Sequence, residues 1–304
     1  MTLHVAVLMG GWSAEREISL VSGTNVVEAV RSLDHDVTPI DVDHDIATVL
    51  GELKPDVVFN ALHGRFGEDG CIQGVLETLR IPYTHSGVLA SALAMNKPAA
   101  QRAFQDAGLK CPNSAVVSRA QYCQGDVLPL PHVVKPLNEG SSVGVRIVNE
   151  GDNTDPNDID SWTFGDYAMV EEYIPGREIT VAVVDNKPLD ALEIRPRVGF
   201  YDYDAKYLAG GSEHIIPAPI HPDCYARALD IAEVAHRTLG CRGVTRADLR
   251  YDDTAGEPGQ LYILELNTQP GLTPTSLLPE IVAHQGMSFI ELVAWLLEDS
   301  GCDR

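Results

Sequence analysis

Two carboxylates, an amide and a guanidinium near the end of the chain have the types and spacing to hold a divalent cation against phosphates. Glu265 and Asn267 lie two apart in the alternating run Leu261–Asn267, so on a strand their side chains share a face. Arg246 and Asp248 repeat that spacing in Val244–Leu249, one strand earlier. Hard oxygen donors beside an arginine suit Mg²⁺ or Mn²⁺ bound to phosphate. Read alone, Glu-x-Asn describes an edge strand with polar residues facing water more often than a site. The rest of the chain has to decide between the two.

Lys135 ends the strand signal that starts at His132 and precedes the small-residue loop Asn138–Gly144. A lysine point charge and the N–H groups of such a loop can together hold phosphate oxygens. Lysine comes before the glycines, the reverse of a Walker A loop. The competing reading is a lysine whose stem covers a sheet. In Glu171-Glu172-Tyr173-Ile174, with Glu178 after the turn, an exposed strand backbone offers a purine one donor and one acceptor. A carboxylate there can accept from the amino group or the ribose hydroxyls, although paired acidic residues before a turn are commonly just solvated.

At the other end of the chain, Gly10-Gly11-Trp12-Ser13-Ala14-Glu15 joins the first strand to the first helix. The glycines allow a tight turn and the helix start offers N–H groups to an anion, while Glu15 alone reads as a partner of the helix dipole. The absence of G-x-G-x-x-G counts against a nicotinamide enzyme. His63-Gly64-Arg65-Phe66-Gly67-Glu68-Asp69-Gly70 packs glycines among charges, and His63 fits substrate contact and a structural hydrogen bond equally well.

These segments need a scaffold of several elements. The chain has 304 residues and 44% hydrophobic content, enough for two or three lobes. A net charge of -22 argues against nucleic acid and anionic membrane as partners, so a nucleotide site must concentrate its positive charge locally. Six cysteines without CxxC spacing indicate neither a zinc cluster nor a disulfide framework. Leu3–Met9 is too short to span a membrane and no basic leader precedes it, so a cytoplasmic protein is expected.

The first ninety residues alternate strand signals (3–9, 37–42, 56–62) with helix signals (13–33, 72–80), which predicts a parallel sheet with helices on both faces. Helices at 88–95 and 98–107, short strands at 115–117 and 132–136, and a strand at 143–148 follow. The stretch 149–166 reads as a solvated loop, then strands at 168–173, 178–184 and 189–194. The polar, glycine-containing and aromatic stretch 199–212 is a candidate lid, followed by an amphipathic helix at 222–239 and a closing helix at 287–297.

In this order, Lys97, Lys135, Glu171-Glu172-Tyr173-Ile174, Arg246, Asp248 and Glu265-x-Asn267 resemble the nucleotide site of ATP-grasp ligases. Four further motifs resemble the D-alanine-D-alanine ligases: Gly10-Gly11-x-Ser13-x-Glu15-Arg16-Glu17-Ile18-Ser19, His63-Gly64-x-x-Gly67-Glu68-Asp69-Gly70-x-x-Gln73-Gly74, Phe200–Tyr207 and Asn267-Thr268-x-Pro270-Gly271. The likeness runs from Val5 to about Leu297.

That resemblance implies a three-lobed α/β fold. A Rossmann-like domain would span 1–87, a central ATP-grasp subdomain 88–177, and a C-terminal ATP-grasp subdomain 178–304 with a lid near 199–213. It implies ATP-dependent joining of two D-alanines through an acylphosphate, for peptidoglycan precursors, by a cytoplasmic homodimer. Asp248, Glu265 and Asn267 would hold two Mg²⁺ or Mn²⁺ ions, and Lys97, Lys135 and Lys206 would contact phosphates. Glu171, Tyr173, Ile174 and Glu178 would hold the adenosine, with Ser141, Ser142, Val143, Glu172, Phe200 and Leu264 completing the ATP-binding set.

For the amino acids, the resemblance implies that Glu15 pairs with the first ammonium and that His63 lies beside it. Arg246 and the Gly271 N–H would stabilise the oxyanion, and Ser276 and Leu277 would receive the second carboxylate. Ser141 and Tyr207, hydrogen-bonded to Glu15, would close the lid, and Tyr207 points to dipeptide formation rather than use of D-lactate. Thr275 departs from relatives that carry histidine there. The competing readings are another ATP-grasp ligase and a nucleotide-binding regulator without catalysis. Against the regulator, Arg246, Ser141 and all three metal candidates are present.

Overall fold

The computed structural model describes residues 2–125, 127–140, 144–151, 162–197 and 211–302. The chain opens with β1 (His4–Met9), α1 (Arg16–Ser32), β2 (Asp36–Asp41), α2 (Ile46–Leu53), β3 (Val57–Asn60) and α3 (Cys71–Leu79). The three strands form a parallel sheet in the order β2-β1-β3. Both faces of β1 are covered, as the unbroken apolar run requires. Val5 and Val7 pack with Val26 and Val30 of α1, and Ala6 and Leu8 face Leu50 and Leu76 of α2 and α3. The parallel α/β start predicted from the sequence is observed.

A four-stranded antiparallel sheet, ordered β4-β7-β5-β6, is built from β4 (Ser114–Ser118), β5 (His132–Lys135), β6 (Arg146–Val148) and β7 (Tyr167–Glu172). Two helices, α4 (Val88–Met95) and α5 (Lys97–Asp106), precede it, and the short α6 (Arg119–Cys123) follows β4. Asn96 caps α5 by accepting the Ala99 N–H at 3.1 Å, and Pro98 takes a first-turn position, so Lys97 is fixed at the helix start.

The five-stranded antiparallel sheet, ordered β10-β9-β8-β11-β12, contains β8 (Arg177–Val184), β9 (Lys187–Pro196), β10 (Ser212–Ile215), β11 (Val244–Asp252) and β12 (Gln260–Asn267). Its helices are α7 (Pro222–Thr238), α8 (Leu277–His284) and α9 (Phe289–Asp299). Ile179, Val181 and Val183 of β8 pack towards α7 together with Ala90, Ala94 and Phe104 of α4 and α5. The alternate residues Ala182 and Val184 face α8 and α9 and join the β1–α1 core. One continuous apolar cluster therefore fastens the parallel sheet to the large antiparallel one.

Four elements depart from the sequence expectation. Helices α2, α6 and α8 were not predicted; α2 and α8 span eight residues each and α6 five, too short for a convincing 3.6 period. β10 begins at Ser212, the last residue of the stretch read as a lid, where Ser212 pairs with Pro196 of β9. Residues 199–210 of that stretch, and 152–161 of the expected loop, lie outside the described residues.

Candidate active site

The polar ends of β5, β7, β11 and β12 meet the loops after β1 and β3 along one cleft. Two cavities make it up, one towards β5–β7 and one towards β1–β3. Lys97, Glu139 and Glu265 line both, so the cavities adjoin at these residues.

In the first cavity, Lys135 stands at the end of β5, beside β7, and donates to Glu171 Oε2 at 2.7 Å. Both are buried, and Gln101 Nε2 donates to the other Glu171 oxygen at 3.3 Å. Glu171 is thus drawn inwards, whereas its neighbour Glu172 is exposed and accepts from Asn113 Nδ2 at 2.7 Å. The sequence pattern held one buried and one exposed carboxylate, and both line this cavity. Tyr173, Ile174, Glu178, Asp248 and Leu264 share the same lining. Arg250, which the sequence reading overlooked, tethers this wall by donating to Ile174 O at 3.1 Å and Gly176 O at 2.8 Å.

β11 and β12 pair so that Asp248 opposes Glu265 and Arg246 opposes Asn267. Arg246 forms a bidentate fork on Asp248, at 2.9 Å to Oδ1 and 2.8 Å to Oδ2, and Thr180 Oγ1 donates to Oδ1 at 2.6 Å. Lys97 Nζ lies 3.9 Å from Glu265 Oε2 and donates to the Glu139 carbonyl. β12 is an edge strand, as the competing reading required. Its polar face nevertheless borders the cleft instead of facing open water. Among the described residues no group of three or more His, Cys, Asp or Glu converges on one point. A Mg²⁺-type cation does not need one, because it is commonly held by one or two carboxylates with phosphate oxygens and water. Asp248, Glu265 and Asn267 supply oxygen donors of that kind.

The second cavity contains Glu15, His63, Arg246, Gly271, Ser276 and Leu277. Glu15 is the N-cap residue of α1 yet makes no side-chain capping bond, and it is buried at the cleft instead of lying along the helix dipole. Its Oε1 is so close to two backbones that a Cβ on Gly140 would lie 2.5 Å from it and one on Gly64 3.0 Å. Gly64 also has φ +71, so only glycine suits that approach. Ser13 Oγ donates to the His63 carbonyl at 2.7 Å and accepts the Glu15 N–H at 3.1 Å, tying the two loops together.

His63 is held on both ring nitrogens, with Glu68 Oε1 3.2 Å from Nδ1 and Ser22 Oγ 3.1 Å from Nε2. Glu68 also accepts the Gly64 N–H at 3.1 Å. Ser276 precedes α8, and its Oγ accepts the Thr273 N–H at 3.0 Å. Thr275 is exposed at the mouth. Glu68, Glu139 and Gln269 stand within the sequence motifs without an assigned role, and Ser22 and Asn60 have no spacing signal of their own. Ser141, Ser142, Val143, Phe200, Lys206 and Tyr207 lie outside the described residues.

Residues 103–298 match the family model for the D-ala D-ala ligase C-terminus, and residues 4–52 and 47–86 match that for the N-terminus. The chain belongs to the D-alanine-D-alanine ligase family. The D-alanine-D-alanine ligase of Granulibacter bethesdensis is 57% identical over 301 residues, covering 98% of each chain. That of Parvibaculum lavamentivorans is 56% identical, covering 99% of this chain and 98% of its own. Among solved structures, Bacillus anthracis D-alanine-D-alanine ligase complexed with ATP superposes with a TM-score of 0.81 at 25% identity, covering 98% of this chain and 97% of its own. The VanG D-Ala:D-Ser ligase of Enterococcus faecalis does so with a TM-score of 0.81 at 28% identity, covering 98% and 99%. The three-sheet architecture is therefore that of this ATP-grasp family, as the sequence motifs implied.

Proposed function

We propose that the chain is an ATP-dependent ligase that joins two D-alanines into D-alanyl-D-alanine for peptidoglycan precursors. The observation that carries this reading is the cleft in which a lysine- and carboxylate-lined cavity adjoins, at Lys97, Glu139 and Glu265, the cavity of Glu15 and His63. A phosphate donor at one end can then reach a carboxylate bound at the other.

In this reading ATP enters the first cavity. Tyr173, Ile174, Glu171, Glu172, Glu178 and Leu264 hold its adenosine, and Lys97 and Lys135 neutralise its phosphates. The oxygen donors of Asp248, Glu265 and Asn267 hold two Mg²⁺ or Mn²⁺ ions, which supply Lewis-acid polarisation of the phosphates when bound. Glu15 binds the ammonium of the first D-alanine, and the His63–Glu68 pair keeps the adjoining loop in place. The carboxylate of that D-alanine takes the γ-phosphoryl group as the bond to ADP breaks; the second D-alanine, its ammonium having lost a proton to solvent, attacks the acylphosphate carbon through its amine, and inorganic phosphate then leaves with the second proton from that nitrogen. Negative charge gathers on the former carbonyl oxygen, where Arg246 and the Gly271 N–H donate. Ser276 and the start of α8 at Leu277 receive the second carboxylate. Ser141, Ser142, Val143, Phe200, Lys206 and Tyr207 complete the site in this proposal. They close it against water, which would otherwise hydrolyse the acylphosphate.

The same reading divides the chain into lobes at 1–87, 88–177 and 178–304. It places the enzyme in the cytoplasm; no described helix is long and apolar enough to cross a membrane. It also includes a homodimer, which rests on the family resemblance and is checked by light scattering. The functional test is phosphate release from ATP and Mg²⁺ with D-alanine, L-alanine or D-lactate as the added acid. Release with D-alanine alone is expected. Release with D-lactate but not with D-alanine alone, or equal release with all three, would overturn the assignment.

A further inference from the structure

The loop that carries Gly271 is tied to the parallel-sheet lobe by side chains for which the mechanism above has no use. Gln269 is buried and reaches across about two hundred residues of sequence. Its Oε1 accepts from Asn60 Nδ2 at 2.7 Å, and its Nε2 donates to the Leu62 carbonyl. Asn60 is fully buried at the end of β3. It spends its second amide proton on the Gly67 carbonyl at 3.0 Å and accepts the Leu62 N–H on Oδ1 at 3.2 Å. Gln73 Nε2 meets the same Gly67 carbonyl at 2.8 Å. Asn60 and Gln269 therefore clamp the backbone immediately before His63 and the turn that carries Glu68.

A second tie lies on the other side of Gly271. The Leu272 N–H donates to Ser22 Oγ at 3.2 Å, and that hydroxyl lies 3.1 Å from His63 Nε2. Asn25 Nδ2 donates to the Leu272 carbonyl at 3.1 Å. Gly271 is bracketed, two residues before and one after, by hydrogen bonds to the parallel-sheet lobe, the first reaching Asn60 and the Leu62 carbonyl beside His63 and the second ending on Ser22 and Asn25 of α1. The Gln269 N–H also donates to Asn267 Oδ1 at 2.8 Å, so the same turn orients a metal candidate.

We infer that Gln269, acting with Asn60, is a positioning residue that sets the distance between the oxyanion donor at Gly271 and the amino-acid subsite at Glu15 and His63. The inference rests on the functional reading above for the roles of those three groups. The physical reason is tolerance. Donors must lie within about half an ångström of the productive geometry, and here they sit on different lobes, so a buried link that leaves little slack has to hold them. Two primary amides suit that task because each offers a fixed donor and acceptor without a charge to desolvate.

The test uses Gln269→Met, which keeps shape and loses the amide, and Gln269→Asn, which keeps an amide too short to reach Leu62. In both, kcat is expected to fall by about 10-fold or more and KM for the first D-alanine to rise. KM for ATP should stay within about twofold, because Gln269 meets Asn267 through its main-chain N–H, which both substitutions keep. Amide hydrogen exchange at 61–64 should quicken in the variants without any substrate, and an Asn60→Ser change should add little to Gln269→Met. Wild-type kcat and KM values in the variants would overturn the inference, as would parallel loss of ATP affinity, activity and unfolding temperature. If the wild-type protein makes no dipeptide while exchange at 61–64 still quickens, the functional reading fails and the link between lobes stands. Unchanged exchange in a wild type that does make dipeptide defeats the link alone.

Discussion

The two ends of the cleft are held in opposite ways. At the nucleotide end, cations are already engaged by carboxylates: Lys135 with Glu171 at 2.7 Å and, where the two cavities meet, Lys97 near Glu265 at 3.9 Å. At the amino-acid end, His63, Ser22, Glu68 and Ser13 are joined by short hydrogen bonds to each other and to backbone groups. On the proposed reading, this is how a chain of net charge -22 would keep a phosphate site: positive groups are held beside carboxylates, and phosphate binding would exchange one set of ionic partners for another. The hydrogen-bonded end would need no such exchange.

Breaking one buried pair is expected to have the largest effect. Lys135→Met leaves Glu171 buried with Gln101 as its remaining side-chain hydrogen-bond partner among the described residues, and loss of one partner of a buried pair typically costs about 3–5 kcal/mol. Urea unfolding should show that loss of stability, and ATP binding should weaken with it. Next comes Arg246→Met, expected to lower kcat by about 10²–10³-fold, as removal of one oxyanion donor does. Steady-state kinetics on dipeptide formation check it. A smaller effect is expected for Glu15→Gln at the hydrogen-bonded end, where replacing a charge-assisted hydrogen bond should raise KM for D-alanine by about 10- to 100-fold. KM for ATP should not move, and a parallel rise in both constants would show that the ends are not separate.

The smallest expected effect comes from two buried histidines that line neither cavity. Burial holds the His85 imidazole down to about 3 and that of His236 to about 4, against an ordinary value of 6.5. Both stay neutral when folded, whereas the unfolded chain takes up protons below about 6.5. Stability therefore falls as pH drops from about 6.5 towards 4, by roughly 1.4 kcal/mol per unit for each ring. His85 has φ +69, a conformation that asparagine tolerates. His85→Asn is expected to halve the part of the slope due to these rings. Unfolding free energies at pH 7 and pH 5 measure it, and because the slope is compared, any packing cost at neutral pH cancels.

Sequence was a good guide to the strands that carry chemistry and a poor one to what holds them. β1 and β12 were readable because a buried parallel strand is an unbroken apolar run and a cleft-edge strand alternates. α8 was not, since eight residues with one proline give no clear period, and its N-terminus could be placed only through the motif leading to Ser276. Glu171 and Glu172 look alike in sequence and separate only through Lys135, which reaches one of them from the neighbouring strand. The roles of Asn60 and Gln269 were invisible for the same reason. Each is an ordinary amide until two loops 209 positions apart are brought together.

The most direct test of the account is a balance of products. The purified protein is incubated with ATP, Mg²⁺ and D-alanine, and phosphate and dipeptide are measured in the same sample. One D-alanyl-D-alanine for each phosphate released, with ADP as the other product, is the predicted result. Phosphate without dipeptide, or no consumption of ATP when D-alanine is added, would contradict it.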